Sequence, residues 1–144
     1  MRIVVDSNIV FSALLNSTGT IGELLFNSEE RFTFFAPYFL QDEIEKHWKK
    51  ILKISKLSEE ELRESQFRIY KRISFFDEHE ISEKIWKTTE ELLKDIDLDD
   101  TAFLVLTKHL RATLWSGDKA LVLGLRKAGF TKVVTTTELI SLIK

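Results

Sequence analysis

The sequence predicts an α/β fold of three layers, a parallel sheet with helices on both faces. Short β-branched or aromatic runs alternate with stretches of helical apolar spacing, and the first run, Ile3-Val4-Val5, has no polar alternation, as expected of a parallel strand covered on both sides. A third observation is the helix expected over residues 101–110, apolar nearly all round and therefore central and buried. Right-handed crossovers then restrict the topology.

The elements follow in order. The first strand stops at Asp6, and Ser7 or Asn8 is placed to cap a helix carrying Ile9, Val10, Phe11, Ala13, Leu14 and Leu15, too apolar for the surface. A turn at Asn16-Ser17-Thr18-Gly19 precedes a second helix over residues 21–26. Thr33-Phe34-Phe35-Ala36 reads as a strand, and Pro37 suits the first turn of a helix. Leu40, Ile44, Trp48, Ile51 and Leu52 recur at helical spacing, which predicts one long amphipathic helix to about Lys53. Ser58 and Glu61 have capping-box spacing and Leu57 and Leu62 staple spacing, so a helix is expected over residues 58–73. Another is expected over residues 82–93. The acidic stretch of residues 95–100 leads into the buried helix, residues 113–116 read as a strand, and Gly117-Asp118 turns the chain into a helix over residues 119–127 that Gly129 ends. Val133-Val134 gives the last strand, and Thr135-Thr136-Thr137-Glu138 caps the closing helix.

At 144 residues the expectation is a single domain over residues 1–144. With no cysteine there is no disulfide, thiolate zinc site, iron–sulfur cluster or cysteine nucleophile. His47, His79 and His109 lack the close spacing of helical zinc motifs, so a metal would be held by oxygen. The longest apolar run, residues 102–106, falls far below the roughly 18 residues of a membrane span, and the N-terminus, Met1-Arg2-Ile3-Val4-Val5-Asp6, has a charge where a signal peptide needs apolar residues. The expectations are no membrane and a cytoplasmic location, where the Asn16-Ser17-Thr18 sequon has no role.

Ligands of open α/β sheets bind beyond the carboxyl ends of the strands, so the residues that follow each strand carry the functional reading. Asp6 follows the first strand, and Asp118 follows the strand at residues 113–116. Each could serve as a helix cap. If the two strands are parallel neighbours, however, both carboxylates face one rim, near Asp97, Asp99 and Asp100. A helix dipole favours an anion by only about 0.3 to 1 kcal/mol, so packing several carboxylates together requires raised pKa values or a divalent cation. Glu43 borders the apolar stripe of its helix and can reach the same rim, whereas Glu45 should face water. Acids without histidine or cysteine suit Mg²⁺ or Mn²⁺.

Val5-Asp6-Ser7-Asn8, Glu43-Ile44, Asp97-Leu98-Asp99-Asp100 and Trp115-Ser116-Gly117-Asp118-Lys119, in that order, resemble the PIN-domain nucleases, and the resemblance runs from Ile3 to the closing helix. It implies that Asp6, Glu43, Asp100 and Asp118 bind one or two Mg²⁺ or Mn²⁺ ions for phosphodiester hydrolysis, with Asp97 or Asp99 adjacent. It also implies that Ser7, Asn8, Thr101 and Ser116 place hydroxyls or amides around the metal. Trp115-Ser116 departs from the small residue and Thr found in many members, but Ser keeps the hydroxyl. Two ions ~3.5 to 4 Å apart would dispense with a covalent nucleophile, in agreement with the absence of a nucleophile elbow or P-loop.

The formal charge of -2 becomes 21 basic against 19 acidic residues once the four implied ligands are set aside. Basic clusters stand at His47-Lys49-Lys50-Lys53-Lys56, Lys71-Arg72 and Lys108-His109-Arg111, and Lys49, Lys50, Lys53 and Lys119 are the candidate RNA contacts. So small an excess predicts weak, salt-sensitive binding of single-stranded RNA. Trp48, Trp86, Trp115 and Phe39 are read as core. The resemblance leaves open a toxin held by an antitoxin protein, a housekeeping RNA-processing enzyme, and a homodimer. Two further readings compete: a PIN fold kept as a non-catalytic interaction module, and a Mg²⁺-dependent receiver-type phosphoryl-transfer domain. The latter wants an acidic pair after the first strand, where this chain has Asp6 alone.

Overall fold

The computed structural model describes residues 1–143; residue 144, which the expected domain includes, lies outside them. In chain order the elements are β1 (Arg2–Val5), α1 (Ser7–Leu15), α2 (Thr20–Asn27), β2 (Thr33–Pro37), α3 (Phe39–Lys46), α4 (Trp48–Ser55), α5 (Glu59–Tyr70) and β3 (Ile73–Phe76). There follow α6 (Glu83–Leu93), α7 (Thr101–Leu110), β4 (Thr113–Trp115), α8 (Lys119–Lys127), β5 (Val133–Val134) and α9 (Thr136–Ser141). Short 3-10 turns, Glu78–Glu80 and Leu98–Asp100, precede α6 and α7.

All five strands are parallel, in the order β3-β2-β1-β4-β5. From β1 to β3 the chain moves one way across the sheet, and from β3 through β4 to β5 it moves the other way. Right-handed crossovers therefore put α1–α5 on one face and α6–α8 on the other, which is the three-layer α/β/α sandwich expected. The reversal falls between β1 and β4, whose connections leave in opposite directions and open a crevice at their carboxyl ends. This order differs from the 2-1-3-4-5 order of receiver-type domains.

The core runs through both helix layers. Ile3, Val4 and Val5 are wholly buried, and α7 is buried from Thr101 to Thr107 where it crosses β1, β2 and β4. Trp115 is fully buried, Trp48 is 7% exposed, and Phe39 and Trp86 pack against the core. No single helix among the described residues is long and apolar enough to cross a membrane; α1 and α2, apolar when taken together, meet at 106°.

Four local expectations are corrected. The helix expected to reach Ile73 ends at Tyr70, and Ile73–Phe76 forms β3, paired with β2 in the register Phe34↔Ile73. No glycine or proline separates α5 from β3, so the helical period hides the junction. The long amphipathic helix is broken at His47 because its two halves pack on different neighbours, α3 on β2 and α1, α4 on α1 and α5. The indole of Trp48 donates to both carboxylate oxygens of Glu59, at 3.1 and 3.0 Å. Pro37 closes β2 instead of opening a helix, at the strand's last position where its missing N–H costs no ladder bond. The cap of α1 is Asp6, not Ser7 or Asn8.

Candidate metal centre and catalytic crevice

β1 and β4 are neighbours with Val5 opposite Trp115, and the Asp6 N–H donates to the Trp115 carbonyl at 3.0 Å. The chain turns into α1 immediately afterwards, which leaves the Asp6 carboxylate in the crevice, 1% exposed. Its Oδ1 accepts from the Ser7 N–H at 2.8 Å; its Oδ2 accepts from Ser116 Oγ at 2.7 Å and Asn8 Nδ2 at 3.2 Å. Asn8 reaches across as well, its Oδ1 accepting from the Gly117 N–H at 2.9 Å. Asp118 follows, with its N–H donating to Ser116 Oγ and its own Oδ1 accepting from the N–H groups of Ala120 and Leu121. Asp6 and Asp118 are thus helix caps and crevice carboxylates at once.

Asp100 behaves differently. It precedes α7 in the capping position, yet its carboxylate caps nothing, and Oδ2 is buried without a hydrogen-bond partner. Burial pushes its carboxyl up to about 8, helped by the charges of Asp6, Asp97, Asp118 and Asp99. Burial also raises Asp6 to about 6; the bonds from Ser116, Ser7 and Asn8 pull it down, and the charge of Asp118 pushes it up. The fold therefore gathers Asp6, Asp100 and Asp118 closely enough that the charge of Asp118 raises both Asp6 and Asp100, and the charge of Asp6 raises Asp100. A buried acceptor without a donor, among acids that form no ion pair within the described residues, fits a divalent metal with oxygen ligands.

The PIN-domain family matches residues 4–141. The chain belongs to this family of nucleases. No curated protein matches it. Among solved structures it is similar to VapBC2 from Rickettsia felis bound to a DNA fragment from their promoter (TM-score 0.69, 13% identity, 94% of this chain and 98% of that one). It is also similar to a toxin–antitoxin complex from Klebsiella pneumoniae (TM-score 0.61, 16% identity, 93% and 97%). At these identities the likeness is one of fold.

The other expected site residues of this PIN domain fall in several places. Glu43 on α3 lines a groove of about 500 Å³ together with Ser7, Asp42 and Asp99, its carboxylate 3.9 Å from His47 Nε2. Asp97 caps the 3-10 turn through the Asp99 N–H and reaches Asp100 by its charge. Thr101 does not turn toward the acids: its hydroxyl donates to the Leu98 carbonyl at 2.6 Å, because that carbonyl lies one turn back. Lys49, Lys50 and Lys53 are exposed on α4, and Lys119 is exposed beside Ser116 and Thr135.

Asp77, Glu78 and His79 were missed by sequence reasoning; their ligand atoms lie within 4.8 Å of one another beyond β3. Looking past each strand end would have found them had β3 been read. Glu78 is 2% exposed, and its carboxylate accepts from the Phe39 N–H at 3.1 Å, so it anchors the start of α3 and thereby the helix that carries Glu43.

Proposed function

We propose that this PIN domain is a Mg²⁺- or Mn²⁺-dependent endoribonuclease that cuts single-stranded RNA and is held in check by an antitoxin. The buried, unpartnered Oδ2 of Asp100, set among the carboxylates of Asp6 and Asp118, carries the metal reading. Asp6, Asp100 and Asp118 would hold the ion, with Glu43 completing the set from α3 and Asp97 adding charge. A bound ion supplies Lewis acidity at the phosphoryl group and at the attacking water. The chain's own part is preorganisation. Three hydrogen bonds fix Asp6 in one orientation, Ser116 ties it to the end of β4, and Asp100, raised to about 8 by burial, would release its proton to hold a cation. Lys49, Lys50 and Lys53, exposed on α4, and Lys119, exposed beside Ser116, would serve as phosphate contacts.

The toxin role is supported by the toxin–antitoxin character of the similar structures. It is supported also by an apolar groove of about 270 Å³ between α1 and α4, where Phe11, Leu15, Ile51 and Ile54 could receive a partner segment; the groove shares Phe11 and His47 with the acidic one. The test is cleavage of labelled single-stranded RNA with Mn²⁺ or Mg²⁺. EDTA should stop cleavage, Zn²⁺ should restore it poorly, and Asp6→Asn and Asp118→Asn, which retain capping ability, should each lose most activity. Wild-type rates in both variants would overturn the assignment.

A further inference from the structure

The acids of the crevice occupy the carboxyl rim of the sheet; the opposite rim has the opposite charge. Arg2 opens β1, and Arg31, Lys71-Arg72, Arg111 and Lys132 stand within two residues of the starts of β2, β3, β4 and β5. All six side chains are on exposed residues, and Glu29, bridged to Arg72 at 3.1 Å, and Glu30 are the acids of the turn before β2. Helix C-termini favour cations at Arg68, Lys71 and Arg111, but that effect fades within a turn and does not reach Arg31 or Lys132. Arg111 itself sits at φ 53°, a backbone region better suited to glycine, so the chain keeps a guanidinium where the backbone disfavours it.

Aromatic rings accompany the charge at the β3 end of this rim. A hollow of about 470 Å³ is lined by Phe26, Arg68, Lys71 and Arg72, with the Arg72 guanidinium 5.9 Å from the Phe26 ring. Lys71 Nζ lies 4.6 Å from the ring of Phe67, which is 61% exposed. Cations that track a phosphate backbone beside an exposed ring on which a base can stack are the elements of single-strand recognition.

We propose that this amino-end rim, centred on Phe26, Phe67, Arg68, Lys71 and Arg72, is a second surface that binds single-stranded RNA outside the catalytic crevice. It rests on the ribonuclease reading for the identity of the strand. The four residues of β3 separate the rims by roughly 13 Å, so a strand must be several nucleotides long to occupy both.

The test uses the full chain carrying Asp6→Asn, which prevents cutting, and fluorescence anisotropy with a labelled single-stranded RNA of about 20 nucleotides. Adding Arg68→Gln and Lys71→Gln should weaken binding about tenfold and reduce the slope of log affinity against log salt by about 1.4, at about 0.7 per phosphate contact. Phe67→Ser alone should weaken binding without changing that slope. In the otherwise native protein the paired variant should raise KM for the long RNA and leave cleavage of a fragment of about four nucleotides unchanged. Arg68 and Lys71 are both exposed, so the paired variant should leave the melting temperature in place. Equal affinity and slope in variant and parent would overturn the surface, and equal weakening toward duplex DNA would overturn its preference for single strands. A native chain that binds but never cuts RNA would instead overturn the nuclease reading alone.

Discussion

Ser116 and Asp6, 110 residues apart in the chain, are joined by one buried hydrogen bond, Oγ to Oδ2 at 2.7 Å. Ser116 is fully buried, and its hydroxyl oxygen accepts in turn from the Asp118 N–H at 3.1 Å. One hydroxyl thus sets the spacing of two crevice acids, and the consequences are measurable.

Stability of the metal-free protein should fall as pH rises from about 4 to about 8. In the unfolded chain both aspartates ionise near 3.8, whereas in the fold Asp6 ionises at about 6 and Asp100 at about 8. A raised carboxyl pKa leaves the fold unpenalised below 3.8 and costs stability as the unfolded chain loses its proton first. Asp6 alone, carried from 3.8 to about 6, accounts for about 3 kcal/mol. Glu45, Glu61 and Glu138, whose carboxyls are held low by hydrogen bonds, act the opposite way only below the ordinary carboxylate range. Urea melts in EDTA across this window would show the decline; a flat profile would contradict it.

Manganese should reverse that decline. Binding only to the folded state adds about 2.7 kcal/mol at a hundred times the dissociation constant. Because protons compete for Asp6 and Asp100, the rise in melting temperature should be larger at pH 8 than at pH 5.5, as scanning calorimetry would detect.

Asp100→Asn separates electrostatic strain from function. It keeps the shape of a side chain that caps nothing and removes a charge that burial opposes. The metal-free variant should melt higher than wild type at pH 8, by a margin that narrows as pH falls and closes only below about 3.8, while losing both RNA cleavage and the manganese response.

Glu43 and Glu45 should part company. Glu43→Gln should remove metal-dependent cleavage with little change in stability, since its one ion-pair neighbour is His47 at 3.9 Å among the described residues. Glu45 faces outward, as expected, but holds Arg63, so Glu45→Gln should cost up to about 1 kcal/mol and leave cleavage intact. Cleavage assays and thermal melts on both variants decide it.

The sequence was most readable where local and global preferences agree. α7 covers the expected residues 101–110, because a helix buried on all sides needs no partner to reveal its period. The capping box at Ser58–Glu61 formed as read, and the expected cap of α9 at Thr135 proves to be a second capping box with Glu138. β3 was hidden because four residues directly after a helix show too little alternation to compete with the helical period, and with it went Asp77 and Glu78. In the crevice, Asp6 and Asp118 were legible from strand ends. The burial of Asp100 and the turning of Thr101 toward Leu98 depend on how the 3-10 turn packs, which spacing does not encode.

The joining of β1 to β4 also governs when the crevice comes into being during synthesis. Asp6 leaves the ribosome well before Asp100 and Ser116–Asp118, and the bonds from Gly117 to Asn8 and from Ser116 to Asp6 cannot form until β4 has paired. A nascent chain that stalls before β4 has Asp6 and Asp100 but neither Ser116 nor Asp118. Translation must pass β4 and Asp118 before the acids meet, so products that stop short of them carry no assembled centre.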